Sequence, residues 1–505
     1  MLILAFLAAS QLCINCHPKQ VEGYARTGMG RSLGRPVPQP DGQFQHRFSG
    51  TRFGARFADG RLLHRLERNG RRAEYPIDYF IGSGNEGRSY LIRIGDALFQ
   101  SPVSWYSRRG IWDVSPGYER DPAPDFTRPV TAECLFCHAG RAAPVPGTLN
   151  RYADPPFLAE AITCERCHGP SERHLARPSR ETIVNPVRLP PRVRDSVCEQ
   201  CHLSGESRIA NPGLKIADFE PGRELEEVFS VYRFDSPPGQ PLKVVSHSEQ
   251  FARSVCERES GERMWCGSCH DPHNKPADAQ VFYRERCLNC HGADVMAKHP
   301  EPKEDCIGCH MPRRSVSDGG HTAFTDHEIL RRPRKQVEES RSQRLAAWRP
   351  PPEKFAKRNL GLAYMGVGER DQSAAMLNEG FRLLLEVQPQ FPNDTDVLTT
   401  LGLVLMRKNQ PAMAARYVER ARSLEPDHAG HYVNLAAALD AKGEAAQAIA
   451  ALDRAIELDS SLEHPYLMLA EIYQREGETA KRRETLDRYL RFMPQHMRAR
   501  EARKR

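Results

Sequence analysis

Cys266-Gly267-Ser268-Cys269-His270, Cys287-Leu288-Asn289-Cys290-His291 and Cys306-Ile307-Gly308-Cys309-His310 write one pentapeptide, Cys-x-x-Cys-His, three times between residues 266 and 310. The same pentapeptide occurs four more times upstream, at Cys13 to His17, Cys134 to His138, Cys164 to His168 and Cys198 to His202. The seven copies use Cys13, Cys16, Cys134, Cys137, Cys164, Cys167, Cys198, Cys201, Cys266, Cys269, Cys287, Cys290, Cys306 and Cys309, fourteen of the fifteen cysteines, and leave Cys256. Two thiols three residues apart can each add to one vinyl group of a single porphyrin, and the histidine that follows is then held under the iron as an axial ligand. The spacing therefore predicts seven covalently attached c haems. Their proximal ligands are His17, His138, His168, His202, His270, His291 and His310.

Zinc is the competing reading, because Cys-x-x-Cys pairs also serve as zinc half-sites. A zinc ribbon does not require histidine directly after the second cysteine, and here every pair has it. A disulfide within one motif closes only a small loop and adds little stability. Cys256 reads as a buried free thiol.

From Cys134 onward, successive motifs begin 30, 34, 68, 21 and 19 residues apart. Spacers that short cannot build a separate core around each haem, so the haems are expected to pack near one another. Mean hydropathy is −0.61, and porphyrins would supply the apolar surface that the side chains lack. The formal charge of +7 is outweighed by two propionates per haem. Arginine and lysine then read as propionate partners, and nucleic acid is not an expected partner.

Eight histidines of this region lie outside the motifs: His46, His64, His174, His247, His273, His299, His321 and His327. His174 and His273, a few residues beyond proximal histidines, are the leading second ligands for neighbouring haems. His299, His321, His327 and His247 follow. His46 belongs to the candidate iron ligands too, and His64 reads as a strand residue. The methionines Met29, Met264 and Met311 are poorer candidates.

Haem is attached to c-type chains outside the cytoplasm, so export to the periplasm or an equivalent compartment is expected. Residues 1–12, with the apolar run Leu2 to Ala9, read as the remnant of an export signal without its usual basic start. No segment is long and apolar enough to span a bilayer.

Residues 13–345 are expected to form the haem-packed, mostly helix-and-coil cytochrome domain. Alternating residues from about 44 to 112, punctuated by Asp59-Gly60, Asn69-Gly70 and Gly95-Asp96, predict an antiparallel β meander inserted in it. Gly82 to Gly87 spells G-x-G-x-x-G, but a strand rather than a helix follows, so it reads as an inter-strand loop. The spacer between His202 and Cys266 is expected to add one or two strands around Phe229 to Phe234.

Pro350-Pro351-Pro352 marks a linker over 346–353. Beyond it Leu401-Gly402, Leu435-Ala436 and Leu469-Ala470 recur every 34 residues, as do Ala414 with Ala448 and Ala421 with Ala455. This predicts an all-α tetratricopeptide solenoid over 354–505, with three good repeats and a degenerate earlier one around Leu360-Gly361. The basic tail from Arg498 reads as a solvated helix end. His428, His431, His464 and His496 fall in the repeats and are assigned no iron.

His168-Gly169-Pro170 with His174, His270-Asp271-Pro272-His273, and Cys309-His310-Met311-Pro312 followed by His321 and Asp326-His327 resemble the multihaem cytochromes of the cytochrome c-554 and c-prime type. The resemblance covers roughly residues 13 to 330 and looks closest to bacterial proteins that carry tetratricopeptide repeats as well. It implies haem binding and electron transfer. Relatives of that type include electron shuttles, hydroxylamine oxidoreductases and ammonia-forming nitrite reductases. All seven motifs here end in histidine, whereas that nitrite reductase family usually carries lysine at its catalytic haem, and the octahaem enzymes have one haem more.

The expectation is an electron carrier with mostly bis-histidine haems, serving redox partner proteins and docking a protein partner through the repeats. Deleting residues after Leu345 should then abolish partner pull-down while leaving the haem spectrum intact. The alternative is a multihaem oxidoreductase acting on a small nitrogen or sulfur compound at one haem with an open iron position.

Overall fold

In the computed structural model of the chain, the described residues are 12–235, 242–297, 299, 304–331 and 344–504. The expected signal remnant lies almost wholly outside them.

A short helix, Pro18–Tyr24, leads from the first Cys-x-x-Cys-His motif into a β-rich region that runs from Leu33 to Pro129, wider than the meander expected. Strands Gly42–Gln45, Arg52–Ala58, Arg61–Arg68 and Arg71–Pro76 pair in sequence order as an antiparallel meander. Asp59-Gly60 and Asn69-Gly70 take positive φ at both positions, as two-residue hairpin turns require. A second sheet orders Leu33–Gly34, Tyr79–Ile81, Ser89–Ile94, Ala97–Gln100 and Arg128–Pro129. Gly82 to Gly87 is the loop between two of its antiparallel strands. Beyond it, hairpin Val103–Tyr106 with Ile111–Val114 stacks Trp105 and Trp112 into the core, their rings 5.1 Å apart.

The remaining motifs sit on short helices. Ala132–Phe136, Glu165–His168, Pro191–His202, Cys266–Cys269, Ala279–Leu288 and Cys306–His310 each carry part of one. Strands Ser207–Ala210 and Phe229–Phe234 pair as the spacer suggested, and Leu345–Ala347 adds a third strand to them. The linker expected over 346–353 thus begins within this sheet. Its first residues are hydrogen-bonded sheet, and Trp348 N–H donates to Val231 O at 2.7 Å.

Four helix pairs follow: Glu353–Arg370 with Ala374–Val387, Thr395–Arg407 with Pro411–Leu424, Ala429–Ala441 with Ala445–Leu458, and Glu463–Arg475 with Thr479–Phe492. Small residues at the repeat positions set the spacing. A Cβ on Gly402 would stand 2.5 Å from Val418 Cγ2, and Ala414, Ala421, Ala448 and Ala455 are fully buried. Each intra-pair turn holds one left-handed residue, namely Gln372, Asn409, Gly443 and Gly477, which stops one helix and reverses the chain.

The repeats do not stand apart. One continuous core runs from Phe53, Tyr90 and Phe126 of the β-rich region to Leu405, Leu452, Tyr489 and Met497 of the repeats. Successive inter-repeat loops add polar contacts. Ala429 N–H donates to Gly147 O, Leu149 N–H to Asp459, and the Ser461 hydroxyl to Asn150. Gln495 then exchanges two hydrogen bonds, of 2.7 and 2.8 Å, with the Glu74 backbone. At the other end Arg358, itself 1 % exposed, donates to Ala210 O and pairs with Asp394 and Asp396. Deletion of the residues after Leu345 would therefore expose part of that joint core, besides removing the surface expected to dock a partner. The tail is not a solvated helix end. Met497–Ala502 is a helix whose Met497 and Ala499 are completely buried.

Candidate functional site

Each motif makes a tight helical turn, closed for example by His17 N–H to Cys13 O at 2.8 Å and His168 N–H to Cys164 O at 2.9 Å. Both cysteines and the histidine are thereby turned to one side. The motifs adjoin one another. Cys13 faces Cys164, Cys137 faces Cys201, Cys198 faces Cys266, and Cys287 faces Cys306. Cys256 lies near both Cys269 and Cys290. None of the fifteen cysteines is in a disulfide. The motif at Cys198 to His202 thus touches two others directly. Cys201 pulls the Cys137 thiol below its ordinary value, with Arg208 assisting.

Motif histidines and non-motif histidines come together in pairs. His17 faces His174 with ring centres 6.4 Å apart, His168 faces His273 at 5.9 Å, His270 faces His327 at 6.1 Å, and His310 faces His299 at 5.8 Å. Two imidazoles on opposite sides of one metal, each bonded at about 2 Å with its ring centre about 1 Å farther back, stand about 6 Å apart. His202 and His247 are somewhat closer, at 5.2 Å, and His247 also lies 4.9 Å from His327.

The second ring nitrogen is anchored in the way metal-bound imidazoles require. The Nδ1 of His168 donates to Val184 O, that of His310 to Leu330 O, that of His327 to Thr325 O and that of His174 to Ser179 O, at 2.8 to 3.1 Å. His270 Nδ1 meets the Tyr283 hydroxyl at 3.1 Å. Such bonds fix the tautomer and leave Nε2 as the acceptor for a metal. Burial lowers His138 and His270 to about 4 and His247 to about 2, so these imidazoles are neutral near pH 7.

Two expected ligands are placed otherwise. His46 has Nδ1 on the Ser49 hydroxyl at 2.8 Å and Nε2 on Glu119 O at 3.1 Å. His321 has Nε2 on Asp113 at 2.6 Å and Nδ1 on Arg109 at 3.0 Å. Both ring nitrogens of each thus have polar partners within the protein, unlike the paired imidazoles above. His64 is the core residue it was read to be, wedged between Tyr90 and Trp112 with Nδ1 on Ser101. No second imidazole lies at pairing distance from His138 or His291 among the described residues.

No group of three or more His, Cys, Asp or Glu is arranged to hold a bare metal ion among the described residues. Donors that arrive in twos suit an iron whose other four positions belong to a porphyrin. No described residue from 255 to 315 is buried, so that stretch builds no apolar interior from its own side chains.

Sequence reasoning missed one feature of the motif at Cys198 to His202. Glu199, between the two cysteines, has its carboxylate buried against the segment that enters the repeats. Arg349 Nη2 donates to its Oε1 at 2.9 Å, Arg349 Nη1 approaches Oε2 at 2.7 Å, and Trp348 Nε1–H donates to Oε1 at 3.1 Å. Burial pushes the Glu199 carboxyl up to about 7 despite that guanidinium. The contact spans about 150 residues of chain, and no local pattern announces it.

Residues 116–169 match the family described as cytochrome c554 and c-prime, and residues 431–462 match the tetratricopeptide repeat. A cytochrome c-like segment, for which haem c is the implied group, is thus followed by tetratricopeptide repeats. No curated protein matches the chain. Among solved structures, it is similar to MamA at 26% identity over 27% of this chain and 80% of that one, with a TM-score of 0.25. It is also similar to YrrB, described as a tetratricopeptide-repeat protein with an unusual peptide-binding site, at 23% identity over 29% and 75%, with a TM-score of 0.26. Among the described residues no helix is long and apolar enough to cross a membrane.

Proposed function

We propose that the chain is an extracytoplasmic heptahaem cytochrome c that passes electrons through closely packed, mostly bis-histidine haems between redox partner proteins. Haem c supplies one-electron chemistry when bound. The chain's part is to anchor each porphyrin by paired thiols, orient the imidazoles and set the charge around them. The observation that carries this reading is the set of imidazole pairs near 6 Å whose Nδ1 atoms are tied to backbone carbonyls. His17, His168, His270, His310 and His202 would hold the haem irons as the motif ligands, with His174, His273, His327, His299 and His247 respectively as the second imidazoles near them. Adjoining motifs favour transfer from haem to haem, because hopping falls off steeply with distance. Export follows from where haem is attached.

The repeats serve protein docking. Their inter-repeat loops already hold the cytochrome portion, so a partner is left the helix faces, where Leu385, Leu403 and Met413 are more than two-fifths exposed.

The test is pyridine haemochrome and intact mass on the exported protein, followed by ferric EPR. Seven haems with dominant low-spin signals are expected. No added haem, or predominantly high-spin iron, would sink the reading.

A second reading has one observation in its favour. His138 and His291 lack a paired imidazole among the described residues, so an open iron position there would suit a reductase or oxidase of a small nitrogen or sulfur compound. It is abandoned if the reduced protein is not reoxidised by nitrite, hydroxylamine or tetrathionate.

A further inference from the structure

The segment that joins the cytochrome portion to the repeats reaches into a haem motif. We propose that Arg349 and Glu199 form a positioned charge pair that sets the reduction potential of the haem held by Cys198 and Cys201, so that the entry to the repeat array controls that haem. The inference rests on the haem reading above.

Glu199 occupies the second position of Cys198-Glu199-Gln200-Cys201-His202, so its charge is carried on the same helical turn as the two attachment thiols. Its side chain is only 6% exposed and that of Arg349 17%, which leaves little solvent to screen either charge. Both partners are fixed in place. Helix Pro191–His202 carries the glutamate. The arginine follows strand Leu345–Ala347, which is paired to Tyr232–Phe234, and Trp348 is tied at both its backbone and its indole N–H. Pro350 to Pro352 then connect directly to the helix whose Arg358 and Asn359 are bonded to Ala210 and Asn211. The repeat array cannot shift at its start without moving Arg349.

The motif concerned is also the one whose thiols face two other motifs, through Cys137 and Cys266. A charge change there acts at a junction rather than at an end. Arg208 donates to Gln200 O and Leu203 O of the same turn, while Asp195 and Glu226 also lie near Glu199, so Glu199 is the member of this charged set that is paired directly with Arg349.

The sign follows from electrostatics. Reduction adds an electron, so a buried guanidinium left without its carboxylate favours the reduced form. At pH 8 to 9, where the Glu199 carboxyl is ionised, one component of a potentiometric titration followed by EPR should move to higher potential in Glu199→Gln while the others stay. In Glu199→Gln/Arg349→Gln, which lacks both charges, that component should return toward its original position. A purely structural role would change haem content or the circular dichroism spectrum but would not give opposite movements in the single and double variants. Should Glu199→Gln fail to hold its haems, Glu199→Ala removes the same charge and carries the same expectation. A charge-deleted protein that retains seven haems and titrates as the parent does, or with a component moved downward, overturns the inference. Haem missing from the parent protein would instead overturn the haem reading itself.

Discussion

Residues 255–315 and residues 353–502 are both rich in short helices, yet they fold on opposite terms. In the repeats, leucine, alanine and glycine recur at a fixed period, and Leu401, Ala414, Leu452 and Ala455 are fully buried. Between 255 and 315 three Cys-x-x-Cys-His motifs follow in close order and no described residue is buried. The repeats carry their own interior, so packing and small-residue spacing specify them completely. The motif stretch has paired thiols and imidazoles where a core would be, and on the reading proposed above its order should depend on bound haem. Changes to the repeat interior and changes at the motifs should therefore have separable effects.

The largest expected effect comes from withholding haem. In protein made where no haem is attached, limited proteolysis should cut first between 255 and 315 and leave the repeats resistant. Equal protection of both regions would break the comparison.

A core truncation should do the reverse. Leu452→Ala in the joint core should cost about 2 to 5 kcal/mol and lower the thermal midpoint, while the haem content and optical spectrum stay as they were. Lost haem at unchanged stability would show that the two regions are not distinct in this sense.

His64 offers a pH test confined to the β-rich region. Burial lowers its imidazole to about 3, so between its ordinary value near 6.5 and that point the unfolded chain binds a proton and the folded chain does not. Stability is thus lost as pH falls through this window, by about 2 kcal/mol between pH 6.5 and 5 if the group acts alone. His64→Phe should flatten that slope in thermal melts, and an unchanged slope would assign it to other groups.

The smallest effect concerns the seam. Gln495→Ala removes both bonds to the Glu74 backbone and should cost about 1 to 2 kcal/mol. Hydrogen exchange should quicken at Glu74 while the Leu401 amide keeps its protection. Uniform quickening would mean that the seam and the array open as one unit.

The two regions were also unequally legible. The repeats declared themselves through Leu401-Gly402 and its echoes 34 residues apart, and the hairpin turns through Asp59-Gly60 and Asn69-Gly70, because local conformation decides both. The motifs were equally plain, since Cys-x-x-Cys-His is written out seven times in the sequence. Second ligands were less so. Histidine content alone could not separate His327, whose Nδ1 is held by a carbonyl, from His321, whose two nitrogens are taken by Asp113 and Arg109. That distinction depends on residues remote in sequence. The same holds for the linker. Nothing near Trp348 and Arg349 signals a strand or a bond to Glu199, because the partners lie more than a hundred residues upstream.

The loops that hold the cytochrome portion at Gly147, Asn150 and Glu74 meet it in step with the repeat period, while Arg358 grips it at the opposite end. An open solenoid tolerates gain or loss of a unit, because its free end merely moves outward. Here one more unit would carry Gln495 a full step past Glu74, and one fewer would leave it short. The array works as a measured brace, and its length should be as resistant to change as the motifs themselves.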